Sequence, residues 1–320
     1  MMLNKTILLT GATGFVGKAL VSALQTKELR LLSRKDPQQP QGIFCQAEID
    51  STTDYSAYLH NVDVVIHTAA RVHVMDESSS DPLAAFREVN TAGTANLARQ
   101  AAVLGVKRFI FVSSVKVNGE STTNKQPYRY DDTPAPEDAY GLSKKEAEEE
   151  LWQICNGTQM ELVIIRPPLV YGPGVKANFA AMMKLAQKNL PLPFGSIHNM
   201  RSLVALDNLV DLILTCISHP KAANQTFLVS DDEDLSTTEL LEKMTRAAGK
   251  KPWLLPFPVS WMVGVAVILK KKAITDRLFG SLQVDIQHTK DTLGWKPVVN
   301  VDRALKVCLS QSVLKMEKVN

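Results

Sequence analysis

Cysteine is scarce and scattered: the four in the chain, Cys45, Cys155, Cys216 and Cys308, form no CxxC pair and no Cys/His cluster. That spacing excludes the common zinc motifs and reads as reduced thiols rather than a disulfide framework, so no metal is expected. Excess charge is lacking too, with 36 Lys and Arg against 33 Asp and Glu and a net charge of +3. Such a balance offers no footprint for nucleic acid. No low-complexity tract, internal repeat or leader-like segment is visible, and a cytoplasmic protein is expected. A membrane-spanning run is also missing. One segment, WMVGVAVIL (Trp261–Leu269) followed by Lys270, Lys271 and Lys272, has nine residues where a span needs about 20. It is expected to be a buried helix packed on the C-terminal lobe, the alternative being a helix on a membrane surface.

What is present is rhythm. Short apolar runs rich in β-branched residues, Thr6–Thr10, Leu29–Ser33, Ile43–Ala47, Val62–His67, Arg108–Ser113 and Glu161–Arg166, alternate with helical patterns. The main helical stretches are Phe15–Thr26, Pro82–Leu104 and Asp138–Cys155. Nearly continuous apolar strands imply a sheet covered on both faces, hence an α/β, Rossmann-type, doubly wound parallel sheet with ligands at its C-terminal edge. After Arg166 the pattern loosens into Pro- and Gly-rich loops, strand candidates at Arg201–Leu206 and Thr226–Ser230, and helices at Asp207–Ser218 and Ser236–Ala248. The expected division is a dinucleotide-binding domain over 1–170 and a smaller mixed substrate lobe over 171–320, interleaved with the end of the sheet.

The first strand runs directly into GATGFVG, placing Gly11, Gly14 and Gly17 in a GxxGxxG turn ahead of a helix. Such a turn lets backbone approach a pyrophosphate, and the helix N-terminus offers free N–H groups to it, here those around Phe15 and Val16. At the end of the second strand, where an NAD enzyme usually carries an acid for the ribose, stand Ser33 and Arg34. An arginine pairs with a 2′-phosphate, so NADP(H) is favoured over NAD(H), with Asp36 close enough to reverse the preference.

Ser114 ends the strand run RFIFVS–S, and Tyr140 and Lys144 lie four apart on one predicted helix face. An ammonium beside a phenol is expected to pull the tyrosine pKa down, giving a proton shuttle to a sugar oxygen. With these residues in view, the chain resembles the extended short-chain dehydrogenase/reductases, and within them the nucleotide-sugar epimerase, dehydratase and reductase group. The resemblance covers nearly the whole chain. It implies Ser114, Tyr140 and Lys144 as catalytic residues, Ser114 being preferred to Ser113 by its spacing to Gly119. It places Glu48 and Ile49 near adenine, and Ala69, Ala70, Asn90 and Pro167 along the cofactor. It assigns Asn178, Phe179, Arg201 and Arg277 to the substrate's nucleotide diphosphate, with a UDP-sugar as substrate and a homodimer as the usual assembly.

Galactose-type 4-epimerases carry an asparagine three residues after the arginine that ends the sixth strand, and here Leu169 follows Arg166, Pro167 and Pro168. That departure, together with Arg34, favours NADPH-dependent reduction of a UDP-4-keto-6-deoxy-N-acetylhexosamine for surface polysaccharide synthesis. A UDP-sugar 4-epimerase with tightly held NAD is the alternative. A 4,6-dehydratase is disfavoured, since Val115 and Lys116 follow Ser114 where such enzymes carry acids, and a non-catalytic NAD(P) sensor is disfavoured by the intact Tyr140/Lys144 pair.

Overall fold

In the computed structural model, residues 3–39, 41–72, 81–262 and 278–317 are described, with side chains to 310. Seven strands form one parallel sheet in the order β3-β2-β1-β4-β5-β6-β9. They are β1 (Leu3–Thr10), β2 (Thr26–Ser33), β3 (Ile43–Gln46), β4 (Val64–His67), β5 (Arg108–Val112), β6 (Glu161–Arg166) and β9 (Gln225–Leu228). A second, two-stranded sheet pairs β7 (Leu169–Tyr171) with β8 (Leu203–Ala205) in parallel.

Alternation along the central strands sorts the core into two layers, as a period-two pleat requires. Ile7, Leu9, Ile66, Ile110, Val163 and Ile165 face the helices α1 (Phe15–Ala23) and α7 (Leu206–Ser218). Leu8, Val65, Phe109, Phe111, Leu162 and Ile164 face α4 (Thr94–Val103) and α5 (Ala139–Asn156). A third cluster joins Tyr171 to α6 (Ala177–Lys188), α8 (Thr237–Ala247) and α10 (Val301–Glu317), away from the central sheet. The short α2 (Ser56–Leu59) and α9 (Gln287–Leu293) complete the outline around it. All four cysteines are free and buried, and burial pushes the Cys155 thiol up to about 11 and Cys216 to about 12.

Several boundaries shift. The expected helix Phe15–Thr26 ends at Ala23, because Thr26 already starts β2, pairing with Leu3 across an irregularity in the ladder. The stretch expected as a helix over Pro82–Leu104 is helical from Pro82 to Val103, but α3 (Pro82–Phe86) and α4 flank a π-helical segment at Arg87–Gly93. The Trp261–Leu269 helix lies outside the described residues from Val263 onward. Its first residue, Trp261, is 68 % exposed, so at that end the expected burial does not occur. No helix among the described residues is long and apolar enough to cross a membrane.

Candidate active site

The strand order reverses between β1 and β4, each running on to a different side of the sheet, and this opens a crevice at their C-terminal ends. Two glycines shape its floor. Gly11 sits at φ +75°, and a Cβ there would lie 2.7 Å from the Ala69 nitrogen; one on Gly17 would lie 2.0 Å from the Gly11 carbonyl. The turn therefore packs directly against the residues after β4. Gly14 differs: a Cβ there would meet only the Gly11 carbonyl, at 3.1 Å, so its other side is open. Gly14 is also the N-cap of α1 and offers no side chain, and the first turn carries no acid. The N–H groups of Phe15, Val16 and Gly17 are thus left for an outside acceptor, as four donors are at any uncapped helix start. This open, uncapped cradle at the switch point fits a dinucleotide pyrophosphate.

The residues after β4 are held from below. His67 is fully buried, with Nδ1 2.7 Å from Thr10 Oγ1 and Nε2 2.9 Å from Thr94 Oγ1, and its ring stacks on Phe111 at 5.8 Å. Burial first, then the Lys144 charge, lowers its pKa to about 3, so it serves as a neutral strut. Asn90 lies in the π-helical segment. Its Oδ1 accepts from the Arg71 N–H (2.8 Å), while its Nδ2 donates to the Arg71 carbonyl (3.1 Å) and to Ser143 Oγ (3.0 Å). The amide that the resemblance placed at the cofactor thereby ties the 69–71 loop to α5, and the extra residue of the π turn aims it there.

On the far side of the crevice, Asp138 caps α5 by accepting from the Gly141 N–H at 2.7 Å. Its other oxygen accepts from Lys116 Nζ at 2.5 Å, and Lys116 also reaches Glu120 at 2.8 Å. Lys144 is buried, donates to the Val112 carbonyl at 2.9 Å and stands 4.2 Å above the Phe111 ring. Desolvation brings it down to about 7, against the opposing pull of Glu148. Tyr140 moves the other way: burial and then the Asp138 carboxylate push its phenol up to about 12. The lowered tyrosine pKa expected from the i, i+4 spacing does not occur: desolvation and the Asp138 charge raise it instead, and Tyr140 holds its proton.

The two serines differ in what they touch. Ser113 is buried and donates to Glu148 at 2.5 Å. Ser114 is half-buried, and among the described residues its Oγ is bonded by the Lys116 N–H at 3.2 Å. Glu148 in turn takes a bidentate pair from Arg166 (2.6 and 3.0 Å), whose remaining nitrogen donates to Asn118 Oδ1 at 3.1 Å. This buried Ser113–Glu148–Arg166–Asn118 network locks β5, β6 and α5 together beneath the crevice. Motif reading did not single it out.

Of the remaining expected residues, Pro167 is buried beside the crevice and its carbonyl accepts from the Val115 N–H at 3.0 Å. Glu48 is exposed and Ile49 half-buried, on the chain leaving β3; the Glu48 carbonyl accepts from Tyr55. Ser33 bonds the Lys35 carbonyl, and Arg34 is exposed. Asp36, the acid close enough to reverse the NADP preference, is exposed and accepts from the Gln38 N–H with one oxygen. In the lobe, Asn178 is exposed in the first turn of α6, Phe179 is buried with its ring 5.0 Å from Tyr171, and Arg201 donates to the Gly280 carbonyl at 3.0 Å. Arg277 lies outside the described residues. No cluster of potential metal ligands occurs among the described residues.

The sequence profile of the NAD dependent epimerase/dehydratase family matches residues 7–230. The chain belongs to that family. It is 53 % identical over 307 residues to a Vibrio cholerae protein named UDP-glucose 4-epimerase, covering 94 % of each chain. The fold is that of a short-chain dehydrogenase/reductase superfamily protein from Agrobacterium tumefaciens solved with bound NAD (TM-score 0.76, 23 % identity, 98 % and 99 % of the two chains covered). It is equally that of UDP-glucose 4-epimerase from Thermotoga maritima solved with UDP-glucose (TM-score 0.76, 20 % identity, 97 % and 99 % covered). This family member is therefore an extended short-chain dehydrogenase/reductase with an NAD-binding fold. Among the activities that the sequence left open, the likeness favours the 4-epimerase over the reductase.

Proposed function

We propose that the enzyme is a UDP-hexose 4-epimerase that retains NAD through its catalytic cycle. The whole-length likeness to the Vibrio cholerae protein carries this reading. The geometry supports it: Ser114 is half-buried beside α5, Tyr140 and Lys144 lie one turn apart on that helix, and Lys116 is engaged by Asp138 and Glu120 where a dehydratase would place acids.

In this reading the N–H groups of Phe15, Val16 and Gly17 hold the dinucleotide pyrophosphate. Glu48 and Ile49 border the adenine, and Ala69, Ala70, Asn90 and Pro167 border the nicotinamide half. When bound, NAD would supply the hydride acceptor for the sugar C4 and a positive charge to the site. Ser114 and Tyr140 then bond the sugar O4, and Tyr140 removes and returns its proton. Lys144, poised near neutrality, supplies the cationic side of that exchange. Asn178, Phe179, Arg201 and Arg277 are assigned to the UDP diphosphate, and the lobe over 171–320 to the substrate. The test is NMR of UDP-glucose incubated with purified enzyme and no added cofactor. Appearance of the C4 epimer supports the reading, and unchanged UDP-glucose and UDP-N-acetylglucosamine contradict it.

A second reading, NADPH-dependent reduction of a UDP-4-keto sugar, is favoured by Arg34, exposed at the end of β2 while Asp36 is turned onto Gln38. A charge-assisted arginine–phosphate contact would give about a 10–150-fold preference for NADP(H). Arg34→Asp would erase that preference; equal affinity for NAD and NADP in the unaltered enzyme removes this reading.

A further inference from the structure

The C-terminal lobe carries a surface that neither sugar nor dinucleotide chemistry requires. The chain from Lys250 to Pro258 runs extended beside Leu190–Gly195, with Leu255 N–H bonding the Leu192 carbonyl at 2.8 Å and Gly195 N–H bonding the Leu255 carbonyl at 2.9 Å. Pro252, Pro256 and Pro258 in one stretch and Pro191 and Pro193 in the other fix φ at extended-compatible values. Side chains then alternate. Leu254 turns toward Leu192, while Trp253 (57 % exposed), Leu255 and Phe257 point outward. Trp261 follows, edge-on to Phe257 at 6.0 Å, and Leu190 is exposed alongside.

The two stretches that form this apolar ridge carry charge of one sign. Lys184, Lys188, Lys250 and Lys251 are exposed, and Lys250 Nζ reaches the Gln187 carbonyl, joining the two stretches. No Asp or Glu occurs from 162 to 206 or from 243 to 275, although the chain as a whole is nearly neutral. Two tryptophans and a phenylalanine beside exposed lysines, on two stretches that carry no acid of their own, match the interface of an anionic bilayer, where aromatic rings sit at headgroup level and lysines meet lipid phosphates. A second copy of the chain is a poor occupant, because a two-fold interface would set these lysines against themselves.

We propose that the Leu190–Gly195 and Lys250–Trp261 surface docks the enzyme on an anionic phospholipid bilayer. This inference stands apart from the epimerase reading, since it concerns a surface and not the chemistry. The full chain is sedimented with phosphatidylcholine vesicles, with and without phosphatidylglycerol, at about 0.15 M salt. Expected are co-sedimentation only with the anionic vesicles, a blue shift of tryptophan emission, and release at high salt. Lys250→Glu with Lys251→Glu lowers binding about tenfold or more, and Trp253→Ser with Trp261→Ser abolishes the blue shift; circular-dichroism melts identify variants that remain folded. Protein that stays in the supernatant overturns the proposal, as does binding equal on pure phosphatidylcholine or unchanged in folded variants. A dimer that the same substitutions dissociate, without vesicle binding, assigns the surface to a second copy and overturns it as well.

Discussion

At the scale of single residues, the environments of the proposed catalytic pair, Tyr140 and Lys144, move the two apart: the phenol up to about 12, the ammonium down to about 7. In the proposed cycle only the phenolate can take the sugar proton, so at neutral pH the positive charge of bound cofactor is expected to bring the Tyr140 pKa down. Oxidised NAD is therefore expected to lower the tyrosine titration midpoint, read as a phenolate ultraviolet difference signal that Tyr140→Phe removes. The same substitution leaves nucleotide binding intact and lowers turnover by about 10²–10⁴-fold; near-normal turnover would reassign the proton to another group. Glu148 acts one turn further along α5, where it raises the Lys144 pKa. Glu148→Gln removes that support, so the Lys144 midpoint falls and the alkaline limb of the pH–rate profile shifts to lower pH. An unshifted limb in a folded variant would limit Glu148 to holding Ser113 and Arg166. None of this opposition was readable from YxxxK alone. The motif placed the pair on one face, but their protonation depends on Asp138, Phe111 and burial, which only the folded neighbours supply.

Among elements, the strand–turn–helix unit β1–α1 was the most legible, because its glycines do different work at fixed spacing. Gly17 serves packing and Gly14 serves access, and the two are separable. Gly17→Ala drives a Cβ to 2.0 Å from the Gly11 carbonyl, so α1 is displaced and stability drops by about 1–3 kcal/mol. Gly14→Ala meets only one oxygen at 3.1 Å and is expected to shift Tm by less than about 4 °C while weakening nucleotide binding. Thermal melts paired with NAD titration check both; equal stability losses would refute the division of labour. The helix over 82–104 shows the limit of periodicity. Its apolar pattern announced a helix, but the π segment at Arg87–Gly93 adds a residue whose effect is to aim Asn90 at Arg71 and Ser143. The two-stranded β7–β8 pair was half-visible, since Leu203–Ala205 read as a strand while Leu169–Tyr171 lay inside a Pro- and Gly-rich stretch taken for loop.

Over the whole molecule, the alternation of apolar runs disclosed the sheet and the position of the crevice, while the buried polar struts stayed hidden. Arg166 and Glu148 lie 18 residues apart, and His67 bridges Thr10 and Thr94 from elements far apart in the chain. Their partners become neighbours only when the sheet closes. His67 links this packing to stability. Its folded pKa of about 3 lies below the unfolded value of about 6.5, so between those values the unfolded chain binds the extra proton. The stabilisation is complete above about pH 6.5 and is lost as pH falls toward 3, at up to about 1.4 kcal/mol per pH unit. Urea titrations between pH 7 and 4 should show this slope, and His67→Gln should flatten it; an identical slope in the variant would place the acid sensitivity elsewhere.

The central claim is that hydride leaves and returns to the same sugar carbon while the dinucleotide stays bound. UDP-glucose deuterated at C4, converted by the purified enzyme and examined by NMR and mass spectrometry, tests it directly. The account predicts a 4-epimer that keeps its deuterium at C4, with no net consumption of NADPH. Loss of the label, or consumption of NADPH with no 4-epimer formed, would contradict it.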